Sequence, residues 1–412
     1  MKNKLKFNAL SIMPIMLLFG YLLSNLGIKL FILIPISFLT IFLYVLITSK
    51  LIYNKIIVLF ILFSLWVTFL YFMGNAEDKF KIYFGFILSC FMAIGIYYYS
   101  YYTTNIKFIY YIYTFLIVSF IIAFLEVNYG LVLPSSGKAL DKTYGKVFEK
   151  IPSSTFYNPN DFATAIGIVF IYIYSYCKIM NYNIRYMILL ISLYTIYCAE
   201  SRGVLISMIL LPLVYCVVNK RPLRKILLGY LLIFVGLTFL FINKMLSSKY
   251  IDIIENFIQG QTDNSFLIRW QMIVYTFSNF EKFIIGYGPG GCSLFFHNFS
   301  ILHPHNLIIE ILVEYGYLGL ILTFILFFLS IKSNYKIIID NNISENLYAS
   351  CKATIILFYL FIIFSVVPSS LLNYWPFAWF PVYLTLINLG LYKRHERQML
   401  VENNVQISMI KK

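Results

Sequence analysis

Apolar residues run in long blocks along nearly the whole chain, and polar residues collect in the breaks between them. A helix rising about 1.5 Å per residue needs about twenty such residues to cross about 30 Å of hydrocarbon. About twelve blocks approach that length. They lie at residues 8–23, 30–47, 56–73, 82–99, 108–125, 162–177, 186–198, 204–218, 226–242, 307–329, 353–368 and 375–391. Several fall short of the ideal, and the blocks at 186–198 and 204–218 could instead form a hairpin that does not span fully. The pattern predicts an all-α polytopic integral membrane protein with a single transmembrane domain over residues 1–412. Two intervening stretches are too long for bare connections: 128–161, and a large one at 243–305 between the ninth and tenth blocks. Within the second, Asn264 or Ser265 could cap a short helix carrying Phe266, Trp270, Ile273 and Phe277 at helical spacing. Such a helix would lie along the membrane interface, with Arg269 and Gln271 off its apolar stripe.

Composition supports the same class: 61% of residues are hydrophobic and 12% charged, with a mean hydropathy of +0.81, values that exclude a soluble domain of this length. Basic residues give the orientation, because Lys and Arg in short loops stay in the cytoplasm. With the N-terminus inside, the inner segments collect Lys2, Lys4 and Lys6, Lys50 and Lys55, Lys178 and Arg185, Lys220 to Lys225, Lys332 to Lys352, and the tail from Lys393. Both termini are then cytoplasmic, and both long loops lie on the outer face. The net charge of +15 is spread over these inner loops rather than gathered on one soluble surface. That excludes nucleic acid and fits anionic lipid head groups. No small-residue cleavage site follows the first apolar block, so it reads as a retained helix. The six cysteines show no metal-ligand spacing; Cys198 and Cys292 are the pair that could meet on the outer side.

Candidate chemistry gathers on that outer side. His303-Pro304-His305-Asn306 stands where the large loop enters the tenth block, and imidazole is the side chain whose ordinary pKa lies nearest neutrality. The same residues could serve only as a helix cap. Glu310 and Glu314 follow Asn306 at four-residue steps on one helical face, with Glu310 the nearer to the histidines; each could equally pair with a neighbouring helix. Arg202 sits in a very short outer loop, where an arginine beside hydrocarbon is a functional candidate by default, or a partner for Glu200. With Arg269 it could hold a diphosphate through bidentate hydrogen bonds. Asn158 and Asp161 open the sixth block, either as substrate contacts or as a cap. Gly286-Tyr287-Gly288-Pro289-Gly290-Gly291 matches GxGxxG without a preceding strand, so the dinucleotide reading fails. Gly288 is left as a loop glycine whose amide could line an anion.

In order, Asn158-Pro159-Asn160-Asp161, Ser201-Arg202-Gly203, Ser265 through Trp270, Gly286-Tyr287-Gly288, and His303-Pro304-His305-Asn306 with Glu310, Gly316 and Gly319 resemble the O-antigen ligase and polymerase superfamily of bacterial membrane glycosyltransferases. The resemblance spans about residues 150–330. It implies an enzyme of the bacterial cytoplasmic (inner) membrane that uses an undecaprenyl-diphosphate-linked glycan as donor and a second glycan as acceptor, with no metal and no cofactor. A chain-length regulator and a flippase are candidate partners. Arg202, Arg269 and His305 match the family's regular site residues, and His303 is the less regular histidine. Polymerisation of repeat units into O-antigen, capsular or related surface polysaccharide is the expected function. Transfer of finished chains to lipid A-core is the alternative within the family, and a lipid-linked glycan flippase is the alternative outside it.

Overall fold

The computed structural model describes residues 54–102, 107–133, 151–154, 156, 158–222, 224, 264–299, 303–340, 342–367, 370 and 372–410. Among them every regular element is helical. Seven helices are long and apolar enough to cross a membrane: α1 (Lys55–Met73), α2 (Lys79–Tyr102), α3 (Lys107–Tyr129), α4 (Pro159–Ile179), α6 (Arg202–Asn219), α9 (Leu307–Ile339) and α10 (Glu345–Phe364). This is the architecture of a multi-pass membrane protein. Between α4 and α6 lies α5 (Ile184–Cys198), whose 15 residues reach only about 22 Å, so the doubtful block at 186–198 forms a helix shorter than the hydrocarbon. The block at 375–391 is split: a short α11 (Trp375–Ala378) breaks at Trp379, and α12 (Phe380–Ile410) then continues far into polar sequence. The blocks at 8–23, 30–47 and 226–242 lie outside the described residues, as do most of 128–161 and the first part of 243–305. Short helices α7 (Asn264–Ser278) and α8 (Cys292–Phe295) complete the set, with single 3-10 turns at Phe280–Phe283 and Leu372–Tyr374.

The order of packing follows from which helices lack a polar face. In α4 the residues from Asp161 to Ile173 are all buried, and a helix apolar on every side belongs at a centre. It is enclosed by α3, α5, α6 and α10. Gly167 lets two of these approach closely, since a Cβ there would stand 2.5 Å from the Phe364 ring and 2.7 Å from Val204. On the other side of the bundle α2 lies along α12, and α9 is wedged among α1, α10 and α12. Where α1, α2, α9 and the α11–α12 break meet, Phe60, Phe63, Phe86, Tyr315 and Trp379 form a cluster of edge-to-face rings. Phe60 and Trp379 are 5.3 Å apart, Phe63 and Tyr315 5.7 Å, spacings at which aromatic quadrupoles attract.

Without water to drive helix association, polar contacts between helices specify the pairing. Asn388 of α12 donates to Asn334 Oδ1 of α9 at 2.8 Å and to Thr354 of α10 at 3.2 Å, and accepts from Ser350 of α10 at 2.6 Å. Ser350 in turn meets the Tyr172 hydroxyl of α4 at 2.9 Å. Four helices are thereby tied at one depth by satisfied buried groups.

One helix is broken on purpose. At Gly316, α9 takes φ 68° and ψ −169°, a region essentially reserved for glycine. The break releases the carbonyls of residues 313–315 from the helical ladder, and buried carbonyls need donors. Tyr287 N–H donates to Val313 O at 2.8 Å and Gly288 N–H to Glu314 O at 2.9 Å, while Trp66 Nε1 donates to Tyr315 O at 2.9 Å. The glycine-rich loop at 286–291 is thus bolted to the kinked helix.

Candidate active site

Helix α9 begins where the chain needs a cap. Asn306, with φ −153°, accepts at its Oδ1 from Ile308 N–H at 3.0 Å and Ile309 N–H at 3.3 Å, satisfying two of the free amides of the first turn. The Asn306 side-chain oxygen, a candidate substrate contact in this motif, is therefore engaged by the helix. His305 immediately before it is buried, 8% exposed, and takes φ 50°, the left-handed region that non-glycine residues enter at some cost. Two turns are joined here, because Leu307 N–H donates to Ser365 O, just beyond the end of α10, at 3.0 Å. The main chain just after His305 is thereby fixed by the cap at Asn306 and by the bond to Ser365.

One turn below, Glu310 is fully buried. Its carboxylate accepts from the Ser370 hydroxyl and from Leu372 N–H at 3.5 Å, and Ser370 Oγ accepts from Asn373 N–H at 3.2 Å. The segment after α10 thereby fixes the carboxylate's orientation. Glu314, another turn on, is wholly buried and faces the Cys292 thiol, the Tyr315 hydroxyl and Gly290 N–H, none of them in ordinary hydrogen-bond geometry. Burial, then the two glutamates, push the Cys292 thiol well above its usual range, so it stays protonated and unreactive. It is a free thiol, as is Cys198.

The two arginines reach this end from different helices. Arg202 occupies the first position of α6 after the buried Ser201. Gly203 is pressed against Val367, which a Cβ would meet at 2.3 Å, so the start of α6 adjoins the same 365–367 segment that receives Leu307. On α7, Arg269 shares a face with the buried Met272 and Thr276, and that helix packs against Ile309, Leu312 and Val313 of α9. Its Nε atom is buried. The opposite face exposes Trp270 (54%) and Phe277 (63%) with Leu267 and Val274. Trp270 and Phe277 of the expected stripe lie on this face, whereas Ile273 packs with Met272 towards α9 and the Phe266 side chain lies outside the described residues; Arg269 is on the side turned towards α9.

Asn158 and Asp161 open α4 at the same end. Asn158 Oδ1 accepts from Asn160 N–H at 2.8 Å, with Pro159 at the first helical position, the arrangement that pre-sets a helix start. Asp161 is buried in that first turn, where the helix dipole favours a carboxylate. Gly288 needs correction: its amide does not line an anion, because it is spent on Glu314 O. With φ 81° and Leu70 O 2.8 Å from where a Cβ would stand, it is a joint between the loop and α1.

His303 stands beside the α1–α2 turn, facing Asp78 and Lys81. Burial first, with Lys81 adding and Asp78 opposing, holds its pKa below the usual imidazole value. The folded state therefore binds fewer protons than the unfolded chain, and stability should fall as pH drops below about 6.5. Thermal unfolding of the wild type should show a steeper loss between pH 7 and pH 5 than that of His303→Gln. Equal acid sensitivity in the two proteins would assign the effect to other groups.

Two participants carried no motif. Ser370 is sixty residues from its partner Glu310, and only the topology joins them. Glu126, near the end of α3, accepts from Ser153 N–H at 2.8 Å and Ser154 N–H at 2.9 Å, anchoring the approach to α4. A carboxylate at the very end of an apolar block was the signal available for it.

Residues 187–324 match the model of a family described as O-antigen ligase. Over that third of its length the chain is similar to this family, which supports the O-antigen ligase and polymerase superfamily. No curated protein matches it. The matched segment begins within α5 and ends in α9 just past the Gly316 break, so it contains Arg202, Arg269, Gly288, His303, His305 and Glu310. Asn158 and Asp161 precede it. That similarity supports a surface-polysaccharide ligase or polymerase kind of function, and the family implies lipid-linked glycans in a membrane as substrates.

Proposed function

We propose that this protein is a membrane glycosyltransferase that polymerises undecaprenyl-diphosphate-linked repeat units into O-antigen, capsular or related surface polysaccharide on the outer face of the cytoplasmic membrane. The observation that carries the reading is the meeting of His305, above the fixed Glu310, with the start of α6 and the inward face of α7. Arg202 supports it further. At the first position of α6 its guanidinium stands beside the amides of the first turn, and cation and helix dipole together favour an anion there. With Arg269 across the site, that anion is the donor's diphosphate.

In the reaction the acceptor hydroxyl oxygen bonds to the anomeric carbon of the donor while the bond from that carbon to the diphosphate breaks. The electron pair leaves on undecaprenyl diphosphate, and the hydroxyl proton passes to His305. Negative charge grows on the leaving oxygens, so fixed guanidiniums stabilise the transition state more than the ground state. Glu310, held by Ser370 and Leu372, supports the charge that develops on the imidazole. No covalent intermediate is needed, and inversion at the anomeric carbon follows. His303, beside Asp78 and Lys81, borders the acceptor path.

Ligation is the second reading, favoured by the description of the matching family. A strain lacking the gene separates the two: loss of polymerisation leaves single repeats on their normal acceptor, whereas loss of ligation leaves long chains on undecaprenyl diphosphate. Complementation with Arg202→Ala or Arg269→Ala should lower product about 100- to 1000-fold for each, the effect of removing one donor from a developing anion, with membrane levels unchanged. Full complementation by either variant would remove that arginine from the site.

A further inference from the structure

At the end of the bundle opposite His305, the helices line a half-open cavity of about 970 Å³ that the glycosyl-transfer reading does not use. Its walls come from the start of α3, the α4–α5 turn, the start of α10 and the middle of α12. They are of two kinds. Ile109, Ile117 and Ile184 give an apolar side, while Arg394, Gln398 and the tyrosines of α3 give a polar one, and no carboxylate is among the described residues that line it.

Most polar groups around this space already have partners. The Tyr176 hydroxyl donates to Asn346 at 2.9 Å, Tyr113 meets the Cys177 sulfur at 2.5 Å, and His395 Nε2 meets Asn342 O at 2.6 Å. The nearby carboxylates are also engaged, Glu396 by Lys393 at 2.6 Å and Asp340 by Tyr392 at 2.9 Å. Arg394 differs. Its Nη1 is buried and makes no hydrogen bond among the described residues. A guanidinium carries five N–H donors and never loses its charge, so a buried, unmatched edge is costly unless an anionic acceptor comes to it.

We propose that this cavity binds the phosphate of an anionic phospholipid, with Arg394 holding the phosphate oxygens and the isoleucine wall receiving the first part of an acyl chain. The mixed lining selects an amphiphile over a free ion, and the Arg394 guanidinium, the cation among the described lining residues, selects an anionic head group over a zwitterion of equal size. The inference does not depend on the reading of the site at the other end.

The test uses the full-length protein purified in a neutral detergent, with lipid binding followed by native mass spectrometry and by the shift in thermal unfolding. Dioleoyl phosphatidylglycerol should bind and stabilise the wild type, and Arg394→Gln should weaken that binding at least about tenfold, the loss of one charge-assisted bidentate contact. Ile117→Trp, which fills the apolar wall and keeps the charge, should weaken it as well, and it carries the test alone if Arg394→Gln does not fold. Dioleoyl phosphatidylcholine, and inorganic phosphate at the same concentration, should do neither. Equal phosphatidylglycerol binding by the wild type and the folded variants would overturn the proposal. So would phosphatidylcholine binding of equal strength, or displacement of the lipid by equimolar phosphate, which would make the ligand a free phosphate.

Discussion

Replacing His305 with asparagine should lower glycosyl transfer about 100- to 10,000-fold, the range a positioned acid–base group contributes, while the protein still folds and inserts. Asparagine is the informative choice because residue 305 stands at φ 50°. Alanine would lose the imidazole and strain the backbone together, whereas asparagine enters the left-handed region more readily than most residues. The cap at Asn306 and the bond from Leu307 to Ser365 should survive, so unfolding temperature should move little. Activity within a few-fold of the wild type would show that the imidazole serves only to shape the entry into α9.

Gly316→Ala should be the most damaging single substitution in stability. Holding a non-glycine residue at φ 68° and ψ −169° costs about 3 kcal/mol. In addition its Cβ would meet Ile285 O at 2.4 Å, a backbone atom with no side chain to move aside. Relief requires the 286–291 loop to leave α9, which breaks the Tyr287 and Gly288 bonds and strands the carbonyls of Val313 and Glu314. Gly130→Ala is the control: its φ of 66° is similar, but no described residue lies within 4 Å of the new Cβ, so it should cost about 1 kcal/mol. Thermal unfolding in detergent, read with the yield of monodisperse protein, compares the two. Equal effects would mean that strain alone matters and that the loop is not bolted to the helix.

Much of the described scaffold was legible in the chain because the blocks from 56–73 through 204–218 each nearly equal one helix. Asn306 and Asn158 announced helix starts, since a short polar side chain before an apolar run satisfies free amides locally. The stripe of Trp270 and Phe277 gave α7 and put Arg269 off its apolar face. The site was legible in its members more than in its connections. That Glu310 meets Ser370 depends on how α10 returns beside α9, which no local pattern encodes. The glycine cluster was read as an open turn because its amides had no visible partner. Their acceptors exist only because α9 breaks at Gly316, about thirty residues further on. Glu126 and Glu314 were visible as carboxylates in apolar sequence, but their surroundings come from tertiary packing.

The central claim is that the cluster around His305, Arg202 and Arg269 transfers sugar from a lipid diphosphate. The most direct measurement supplies purified protein in lipid nanodiscs with undecaprenyl-diphosphate-linked repeat units and follows the products by mass. Wild-type protein should join repeats and release one undecaprenyl diphosphate for each bond formed, and both products should fall together in Arg202→Ala and His305→Asn. Chain extension by those variants at the wild-type rate would contradict the account, as would wild-type protein that binds the donor and neither extends nor transfers its glycan.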